Sequence, residues 1–402
     1  MKYALLVGDG MSDYPLEELG GRTPLEAAKT PNMDYIAKFG RLGRVKTIPE
    51  KMSPASDVAN ISILGYDPKL YYTGRGPLEA ANLGVELEED DVAFRCNLIT
   101  ASGDTLIDYS AGHITTDEAR VLIEFIENKL GTNRLRFYPG TGYRHLMLAK
   151  RGHEQHLEYL KCTPPHDITG KSISLHLPKG DAADAVIKLM QDSRALLEKH
   201  EINLVRIDLK ENPANMIWLW GQGKKPALPK FYDKYGIEGS VISAVDLLKG
   251  LGRILGLEVI NVRGATGYYD TDYLAKARAA LESLEVKDFV FVHVEAPDEA
   301  GHNGDLREKL TAIERFDQLV VGPLLEEARQ KRELRILVLP DHPTPISLRT
   351  HTCDPVVFGI FGKDITGGQF ANYSEKEAEK SELYFDKGHE LLEYFIRGVN
   401  DE

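Results

Sequence analysis

Continuous apolar runs alternate with predicted helices along the first and last parts of the chain. Residues 3–7, 289–294 and 336–339 are nearly uninterrupted apolar runs. Such runs are typical of parallel strands whose two faces are both buried. Predicted helices cover residues 273–284 and 306–329, on either side of the second run. This alternation of strands and helices predicts a doubly wound α/β domain.

The middle of the chain has a different pattern. Between about residues 90 and 225 the sequence predicts short strands of its own and two long helices, at 116–129 and 182–200. The stretch 221–236, GQGKKPALPKFYDKYG, contains two prolines and little periodicity, and we interpret it as a linker. We therefore predict an α/β fold with a doubly wound, mostly parallel sheet and an inserted smaller α+β domain. The main domain is predicted to comprise residues 1–89 and 237–402, and the inserted domain, with its linker, residues 90–236.

Composition and charge narrow the class of protein. The chain has 402 residues, and no apolar run approaches the ~18 residues of a membrane-spanning helix. Its first residues lack the pattern of a secretion signal. A net charge of −13 disfavours nonspecific binding to nucleic acid. The three cysteines are far apart and odd in number, which argues against a disulfide framework. We therefore expect a cytoplasmic protein with no membrane or nucleic-acid partner, and we leave the oligomeric state open.

Aspartate and histidine residues follow three of the predicted strands. Because the carboxyl ends of parallel strands meet at one edge of a sheet, these side chains are expected to lie close together. Singly, each has an ordinary interpretation, as a turn residue, a helix cap or an i, i+4 pair. Their clustering at one edge favours a metal site instead. The candidate ligands are Asp9, Asp298, His302, Asp341, His342 and His351.

The types of these residues indicate which metal the site would take. Carboxylates and imidazoles without a cysteine set favour Mn, Mg, Zn or Fe over a thiolate-rich structural zinc site. Six such ligands are too many for one tetrahedral ion. Two divalent ions about 4 Å apart are the usual arrangement, and they assist phosphoryl displacement.

Ser56 has two interpretations that its local sequence leaves open. In MSPASDVANISILGYDP, residues 52–68, apolar residues at Val58, Ile61 and Leu64 follow Ser56 at helical spacing. This pattern is typical of an ordinary helix in which Ser56 is the capping residue. The alternative is a nucleophile, which would need metal ions to form its alkoxide. A helix N-terminus would also favour a phosphate group there.

Several stretches, taken in order, resemble the alkaline phosphatase superfamily: DG after the first strand, TPNMD, SD at a helix start, DEAGH, DH and HT. Within it, the chain is similar to the cofactor-independent phosphoglycerate mutases of the archaeal type. The stretches GRTPLEAAKTPNMDYIAKFG, SDVANISILGYDP, YYTGRGPLEAANLGV and DDVAFRCN extend the likeness over nearly the whole chain.

This resemblance implies an activity and a role for each candidate residue. It implies an alkaline phosphatase-like fold that interconverts 3-phosphoglycerate and 2-phosphoglycerate through phosphorylated Ser56, without 2,3-bisphosphoglycerate. One ion would be held by Ser56 with Asp9, Asp341 and His342. The other would be held by Asp298, His302 and His351. The resemblance implies manganese, with magnesium, zinc or cobalt as alternatives.

The inserted domain is then expected to bind the small phosphorylated substrate and to move protons. His113 and Asp167 are the candidates for proton transfer. The candidates for substrate binding are Arg144, His145, His166, Lys224 and Lys225. For each of them the alternative is an ordinary solvated surface position.

Two other functions remain as alternatives. The segment DYSAGHI places Tyr109 and His113 where arginines would stand in the archaeal mutases. A bacterial branch that resembles this chain suggests a homoserine kinase-like phosphotransferase with the same metal core, although the chain has no P-loop motif. The other alternative is a metal-stabilised binding protein without turnover.

Overall fold

The computed structural model describes residues 1–331 and 333–398 of the chain. It divides into two compact units. The first unit is formed by Met1–Tyr72 together with the described residues from Leu228 onward, and the second unit is Thr73–Ala227. The strands are β1 (Lys2–Gly8), β2 (Arg41–Val45), β3 (Val92–Ser102), β4 (Thr105–Asp108), β5 (Leu135–Thr141), β6 (Arg144–Ala149), β7 (Met216–Lys224), β8 (Gly239–Ile242), β9 (Glu258–Val259), β10 (Phe289–Val294), β11 (Leu334–Leu339), β12 (Val356–Gly362) and β13 (Tyr384–Phe385).

Helices of very different lengths connect these strands. They are α1 (Pro24–Ala27), α2 (Pro31–Phe39), α3 (Ser56–Ile63), α4 (Pro68–Tyr71), α5 (Arg75–Asn82), α6 (Thr116–Leu130), α7 (Ala183–Leu197), α8 (Glu201–Asp208), α9 (Phe231–Tyr235), α10 (Asp246–Leu255), α11 (Tyr273–Val286), α12 (Ala296–Asn303), α13 (Leu306–Phe316), α14 (Gly322–Lys331), α15 (Glu375–Ala378) and α16 (Leu391–Arg397). No helix in the described ranges combines the length and the apolar character needed to cross a membrane.

The first unit is built on an eight-stranded sheet in the order β13-β2-β12-β11-β1-β10-β8-β9. β1 pairs in parallel with both β10 and β11, and Val7 is in register with His293 and with Leu339. Among the described strands of this sheet, only β12 runs antiparallel to its neighbours. The predicted α/β fold with a mostly parallel sheet is therefore confirmed. The register brings the carboxyl ends of β1, β10 and β11 to one edge.

Burial on both faces explains why the central strands are continuously apolar. Ala4 and Leu6 of β1 pack in a core with Ile313 and Phe316 of α13. Leu5 points to the opposite face and is also fully buried. Because neither face meets water, alternation of apolar and polar residues is absent, as is usual for parallel sheets covered by helices.

The predicted helix 306–329 is interrupted in the structure. A turn of π-helix, Asp317–Val321, separates α13 from α14. The side chain of Asp317 accepts hydrogen bonds from the backbone N–H groups of Asn32 and Met33, at 3.2 and 2.7 Å, in the first turn of α2. The interruption thus places a carboxylate at a helix N-terminus, where negative charge is stabilised.

The second unit contains a five-stranded antiparallel sheet in the order β4-β3-β6-β5, with β7 paired to the other side of β3. Helices α6 and α7 contribute Ile123 and Met190 to a core that also contains Phe94 and Cys96 of β3. Separate sheet and helix layers make this unit α+β in type.

The division of the chain differs from the predicted boundaries at 89/90 and 236/237. Helix α5 lies in the second unit, because its Ala80 packs with Ala93 and Leu146 of the second sheet. Helix α9 lies in the first unit, where the ring of Phe231 is 4.7 Å from that of Phe289. The stretch 221–236 is also not a plain linker, since β7 extends to Lys224 and α9 follows.

Candidate active site

The edge formed by the ends of β1, β10 and β11 carries a dense group of acidic and imidazole side chains. Asp9 follows β1 directly, and Asp341 comes two residues after β11. Asp298 and His302 lie on α12, which begins just after β10. Asp9 and Asp341 are fully buried. The structure therefore brings together the strand ends that the sequence analysis singled out.

Ser56 contacts the imidazole of His342, which also lies near Asp9 and Asp341. Its Oγ is 3.1 Å from Nε2 of His342. The same Nε2 is 3.5 Å from Oδ1 of Asp9 and 3.5 Å from Oδ2 of Asp341. The four residues that the resemblance assigned to one ion are thus gathered around the imidazole of His342.

The remaining three candidates form an adjoining group. Oδ2 of Asp298 is 3.2 Å from Nε2 of His302, and Oδ1 is 3.4 Å from Nε2 of His351. The two Nε2 atoms are 2.8 Å apart. The ring of His351 also stacks on that of His342, with centroids 3.9 Å apart. The two groups are therefore in contact through these imidazoles.

Ser56 is the first helical residue of α3 rather than its cap. The N-cap position is Ala55, whose side chain makes no capping hydrogen bond. The predicted helix is confirmed, but the interpretation of Ser56 as the capping residue is wrong. Its hydroxyl points at Nε2 of His342 instead.

Asn60 is a neighbour that the sequence analysis missed. It lies one turn after Ser56, and its Nδ2 donates to the Ser56 carbonyl oxygen at 2.8 Å and to Oδ2 of Asp341 at 2.9 Å. Oδ1 of Asp341 accepts from the backbone N–H groups of Gly10 and His342 at 3.2 and 2.9 Å. The orientation of the Asp341 carboxylate is therefore held by donors on both oxygens.

His293 and Glu295 also belong to the site, although the sequence analysis did not name them. Nε2 of His293 is 3.0 Å from Oδ2 of Asp9, and its Nδ1 is 3.8 Å from Oε2 of Glu295. His293 lies inside β10 and Glu295 directly after it. The apolar run FVFVHV concealed the histidine, while the position of Glu295 at a strand end was a usable signal.

Burial of so many carboxylates shifts their protonation. Burial, reinforced by the charges of Asp341 and Asp298, raises the pKa of Asp9 well above its usual range. Burial also raises the pKa of Glu295 to about 8, with Asp298 adding to the effect. Burial would lower the pKa of His302, but the interaction with Asp298 raises it to about 9. A bound proton is therefore favoured at Asp9, Glu295 and His302.

These side chains fit divalent metal ions. Both carboxylate oxygens of Asp9 are buried and accept no hydrogen bond from the described residues. Buried acceptors without donors are costly, and a cation would compensate them. The donors are oxygen and imidazole nitrogen, as Mn, Zn and Mg prefer. Three sets of possible ligand atoms each lie within 4.8 Å of one another: Asp298, His342 and His351; Asp9, His293 and Asp341; Asp9, Glu295 and Asp298.

The candidate residues of the second unit differ in exposure and in their partners. His113 is exposed, in a turn where its φ is +50°. His166 and Asp167 are exposed neighbours, with Nε2 and Oδ1 3.7 Å apart. Lys225 is exposed, and Nζ of Lys224 is 4.0 Å from Oδ1 of Asp90.

Arg144 and His145 point to opposite faces of the second sheet, because they are consecutive on β6. Arg144 is exposed, whereas His145 is only 2% exposed and its Nδ1 accepts from the N–H of Gly140 at 3.0 Å. Burial lowers the pKa of His145 to about 3, so it is neutral. This burial argues against direct contact of His145 with a substrate.

Comparisons of the sequence with a family model and with known proteins point to the same family. Residues 37–203 match the family described as 2,3-bisphosphoglycerate-independent phosphoglycerate mutase. A protein of that name from Methanosarcina barkeri is 53% identical over 399 residues, which cover 99% of this chain and 100% of the relative. A probable 2,3-bisphosphoglycerate-independent phosphoglycerate mutase from Geobacter sulfurreducens is 52% identical, covering 98% of this chain and all of the relative.

Two solved structures are similar over almost the whole chain. The PH0037 protein from Pyrococcus horikoshii has 31% identity and a TM-score of 0.83, covering 98% of this chain and 96% of that one. The cofactor-independent phosphoglycerate mutase from Thermoplasma acidophilum has 25% identity and a TM-score of 0.66, covering 99% of both chains.

Proposed function

The chain belongs to the family of 2,3-bisphosphoglycerate-independent phosphoglycerate mutases, isomerases that interconvert 3-phosphoglycerate and 2-phosphoglycerate, and we propose that it acts through a phosphoserine formed at Ser56. Relatives with this name match the chain over its full length at 50–53% identity. They do not favour the alternative of a homoserine kinase-like phosphotransferase.

One observation supports the role of Ser56 above all others. Its hydroxyl lies at the start of α3, 3.1 Å from Nε2 of His342, and that Nε2 is 3.5 Å from each of the buried carboxylates of Asp9 and Asp341. A serine used only as a helix cap would turn its oxygen back to the helix N–H groups. This serine faces a set of metal-type ligands instead.

The proposed reaction has two mirror-image halves. Oγ of Ser56 forms a bond to the phosphorus as the bond from phosphorus to the C3 oxygen of the glycerate breaks. After the glycerate turns, its C2 oxygen attacks phosphoserine and Oγ of Ser56 leaves. The positive end of the α3 dipole at Ser56 would stabilise the charge of the phosphoryl oxygens. Each half requires one proton to leave a hydroxyl and one to reach an alkoxide, and His113 and Asp167 are our candidates for these transfers.

Divalent ions are part of the proposal. We infer two of them, with manganese as the expected metal, held by Ser56, Asp9, Asp341 and His342 and by Asp298, His302 and His351. Bound there, they would lower the pKa of the serine hydroxyl and neutralise phosphoryl oxygens. Asn60 holds the Asp341 carboxylate in its orientation in either half-reaction.

For the remaining candidates the support is uneven. Arg144, His166, Lys224 and Lys225 stay proposed contacts for the anionic substrate, and the buried ring of His145 makes it the weakest of the set. A cytoplasmic location is also inferred, since the three cysteines are free thiols.

The test is a coupled assay with 3-phosphoglycerate and Mn²⁺, without bisphosphoglycerate or ATP. We expect formation of 2-phosphoglycerate, and its loss in Ser56→Ala. Ser62→Ala is the matched control, because Ser62 is a buried serine on the same helix whose Oγ has no hydrogen-bond partner among the described residues. Formation of phosphohomoserine from homoserine and ATP, without mutase activity, would refute the proposal, as would an active Ser56→Ala variant.

A further inference from the structure

A cavity of about 530 Å³ lies in the first unit, beside the loops that follow β1 and β11. Its walls include Ser12, from the loop after β1, and Pro343, from the loop after β11, and a β-bridge joins these two residues. Arg44 of β2 and Val357 of β12, which are in register, also line the cavity. None of its described lining residues is Ser56 or a candidate metal ligand, so the proposed reaction does not use this cavity.

Two polar groups on the walls of the cavity have donors without partners. Ser12 is only 2% exposed, and its Oγ makes no hydrogen bond with any described residue. Nε of Arg44 is also buried without a hydrogen-bond partner in the described part of the chain. The guanidinium carbon is 5.5 Å from the ring centre of Tyr384, and no carboxylate within the described ranges forms an ion pair with Arg44. Because buried donors without acceptors are costly, a ligand with acceptor oxygens would be stabilised here.

The buried acidic side chains of the cavity, in contrast, already have donors. Oδ2 of Asp354 accepts from the hydroxyl of Tyr14 at 2.8 Å. Oε2 of Glu375 accepts from the hydroxyl of Thr23 at 2.7 Å, and its Oε1 accepts from the N–H of Asp13 at 3.3 Å. The unmet hydrogen-bonding capacity therefore belongs to donors, one of them on a guanidinium. A carboxylate matches a guanidinium by two parallel hydrogen bonds.

The charge of the walls favours a ligand that also carries a positive group. The charged residues that line the cavity are Asp13, Glu26, Asp354, Glu375 and Glu379, with Arg44 and Lys376 as the cations. Lys309 offsets Asp13, since their Nζ and Oδ2 atoms are 2.7 Å apart. Carboxylates still outnumber cations after this pair is set aside. A ligand with negative charge alone would be repelled by that excess, whereas an ammonium group would be attracted.

We propose that this cavity binds a small zwitterion, an α-amino acid, with its carboxylate on Arg44 and Ser12 and its ammonium group toward the acidic side chains. The inference goes beyond the proposed reaction, because neither phosphoglycerate carries an ammonium group. It gives the protein a second class of ligand. Pro343 directly follows His342, so the site adjoins the loop that carries this candidate metal ligand.

The test measures the affinity of the Mn²⁺-loaded enzyme for the common L-α-amino acids, one at a time and at millimolar concentration, by calorimetry. We expect at least one of them to bind. The amino acid that binds best is then compared with two analogues of the same side chain. In the hydroxy acid a hydroxyl replaces the ammonium group, and in the amino alcohol a hydroxymethyl group replaces the carboxylate. We expect each analogue to bind at least about 10-fold more weakly.

Two variants and a control locate the binding. In Arg44→Met we expect the amino acid to bind about 10- to 100-fold more weakly, while the affinity for the amino alcohol does not fall. Ser12→Ala keeps the test independent of folding, because the hydroxyl that it removes has no partner among the described residues, and we expect a loss of about 2- to 10-fold. The control is Arg329→Met, which removes an exposed arginine 4.8 Å from the ring centre of Tyr35 and should leave the affinity unchanged.

Three results would overturn the inference. If no amino acid binds, water alone satisfies Ser12 and Arg44. If the hydroxy acid binds as well as the amino acid, the acidic walls do not select an ammonium group. If 3-phosphoglycerate displaces the amino acid and Arg44→Met binds it as the wild type does, the amino acid occupies the candidate active site instead.

Discussion

Oγ of Ser56 lies 3.1 Å from Nε2 of His342, although 286 positions separate the two residues in the chain. The contact joins the N-terminus of α3 to the loop that follows β11. It is the point at which the proposed nucleophile meets the proposed metal ligands. The stability, metal binding and activity of the protein should therefore depend on the charges around this contact and on the residues that orient it.

Removal of divalent ions should destabilise the protein as well as inactivate it. Asp9, Glu295, Asp298 and Asp341 place four carboxylates in one cluster, and mutual repulsion is expected when no cation compensates them. We expect chelation to lower the melting temperature and Mn²⁺ to restore it. An ion present at 100 times its Kd adds about 2.7 kcal/mol of stability per site. Differential scanning fluorimetry with a metal titration measures the effect.

Asp9→Asn is the matched variant for that experiment. Both oxygens of Asp9 are buried and accept no hydrogen bond within the described part of the chain. Removing its charge should therefore raise the melting temperature of the metal-free protein, while the gain on adding Mn²⁺ becomes smaller. A metal-free Asp9→Asn protein that melts below the metal-free wild type, or that gains as much from Mn²⁺, would contradict the proposed role of Asp9.

Asn60→Ala should weaken the metal site without unfolding the protein. The amide of Asn60 orients the carboxylate of Asp341, and loss of such a supporting hydrogen bond typically costs 10- to 100-fold in metal affinity or activity. Mn²⁺ affinity can be measured by calorimetry and mutase activity by the coupled assay. Ser62→Ala, on the same helix, is the control. Unchanged Mn²⁺ affinity in a folded Asn60→Ala protein would show that the hydrogen bond is only structural.

The ion pair between Lys309 and Asp13 should be essential to the stability of the loop carrying His342 and His351. Both side chains are fully buried, with Nζ and Oδ2 2.7 Å apart, and Nζ also donates to the carbonyl oxygen of Thr344. We expect Asp13→Ala to lower the free energy of unfolding by about 3–5 kcal/mol, because it leaves a buried charge unpaired. Urea denaturation measures this.

An exposed pair provides the control for that prediction. Lys188 and Asp192 are 2.8 Å apart on the surface of α7. Asp192→Ala should change the free energy of unfolding by at most about 1 kcal/mol, since solvent screens exposed ion pairs. If the two substitutions had equal effects, burial would not be the source of the Asp13 effect.

The stability of the protein should contain a pH-dependent contribution from Asp317. Burial raises its pKa from 3.8 to about 6, despite hydrogen bonds from Met33 and Asn32. Because the folded-state pKa is the higher one, the folded protein holds the proton more tightly, and stability falls as the pH rises from about 4 to about 6. The full loss would be about 3 kcal/mol.

Asp317→Asn removes this titration. Its absolute stability will also change, because Asn has one acceptor oxygen where Asp has two. The informative quantity is therefore the slope of unfolding free energy against pH between 4 and 6, measured by urea denaturation. We expect a shallower decline in the variant than in the wild type. Parallel curves would mean that Asp317 does not titrate in this range.

The sequence predicted the site best where acidic side chains come just after the predicted strands. Asp9 and Asp341 each come two residues after an apolar run, and the rule that parallel strands end at one edge is enough to place them together. Asn60 was not predictable in this way. Its partner Asp341 is 281 positions away, and a polar residue in the middle of a helix gives no indication of what it contacts.

The second unit was harder to predict because charge alone does not show which face a residue occupies. The adjacent basic residues Lys224 and Lys225 stood out in the sequence, whereas Arg95 lies in the middle of a buried strand. Its environment depends on α5, which the predicted boundary placed in the other domain. Hydrophobic pattern and helix propensity can predict a helix such as α5. They do not show which sheet that helix will pack against.

The position of β1 in the sheet has a consequence for biosynthesis. β1 lies between β10 and β11, whose residues emerge from the ribosome nearly 300 positions later. β1, which Asp9 follows directly, therefore stays unpaired with either neighbour until the last third of the chain has been translated. The second unit has all of its strands within one continuous stretch and can fold in the meantime. A truncated nascent chain thus cannot assemble the proposed centre, and its exposed first strand is a natural site for chaperone binding.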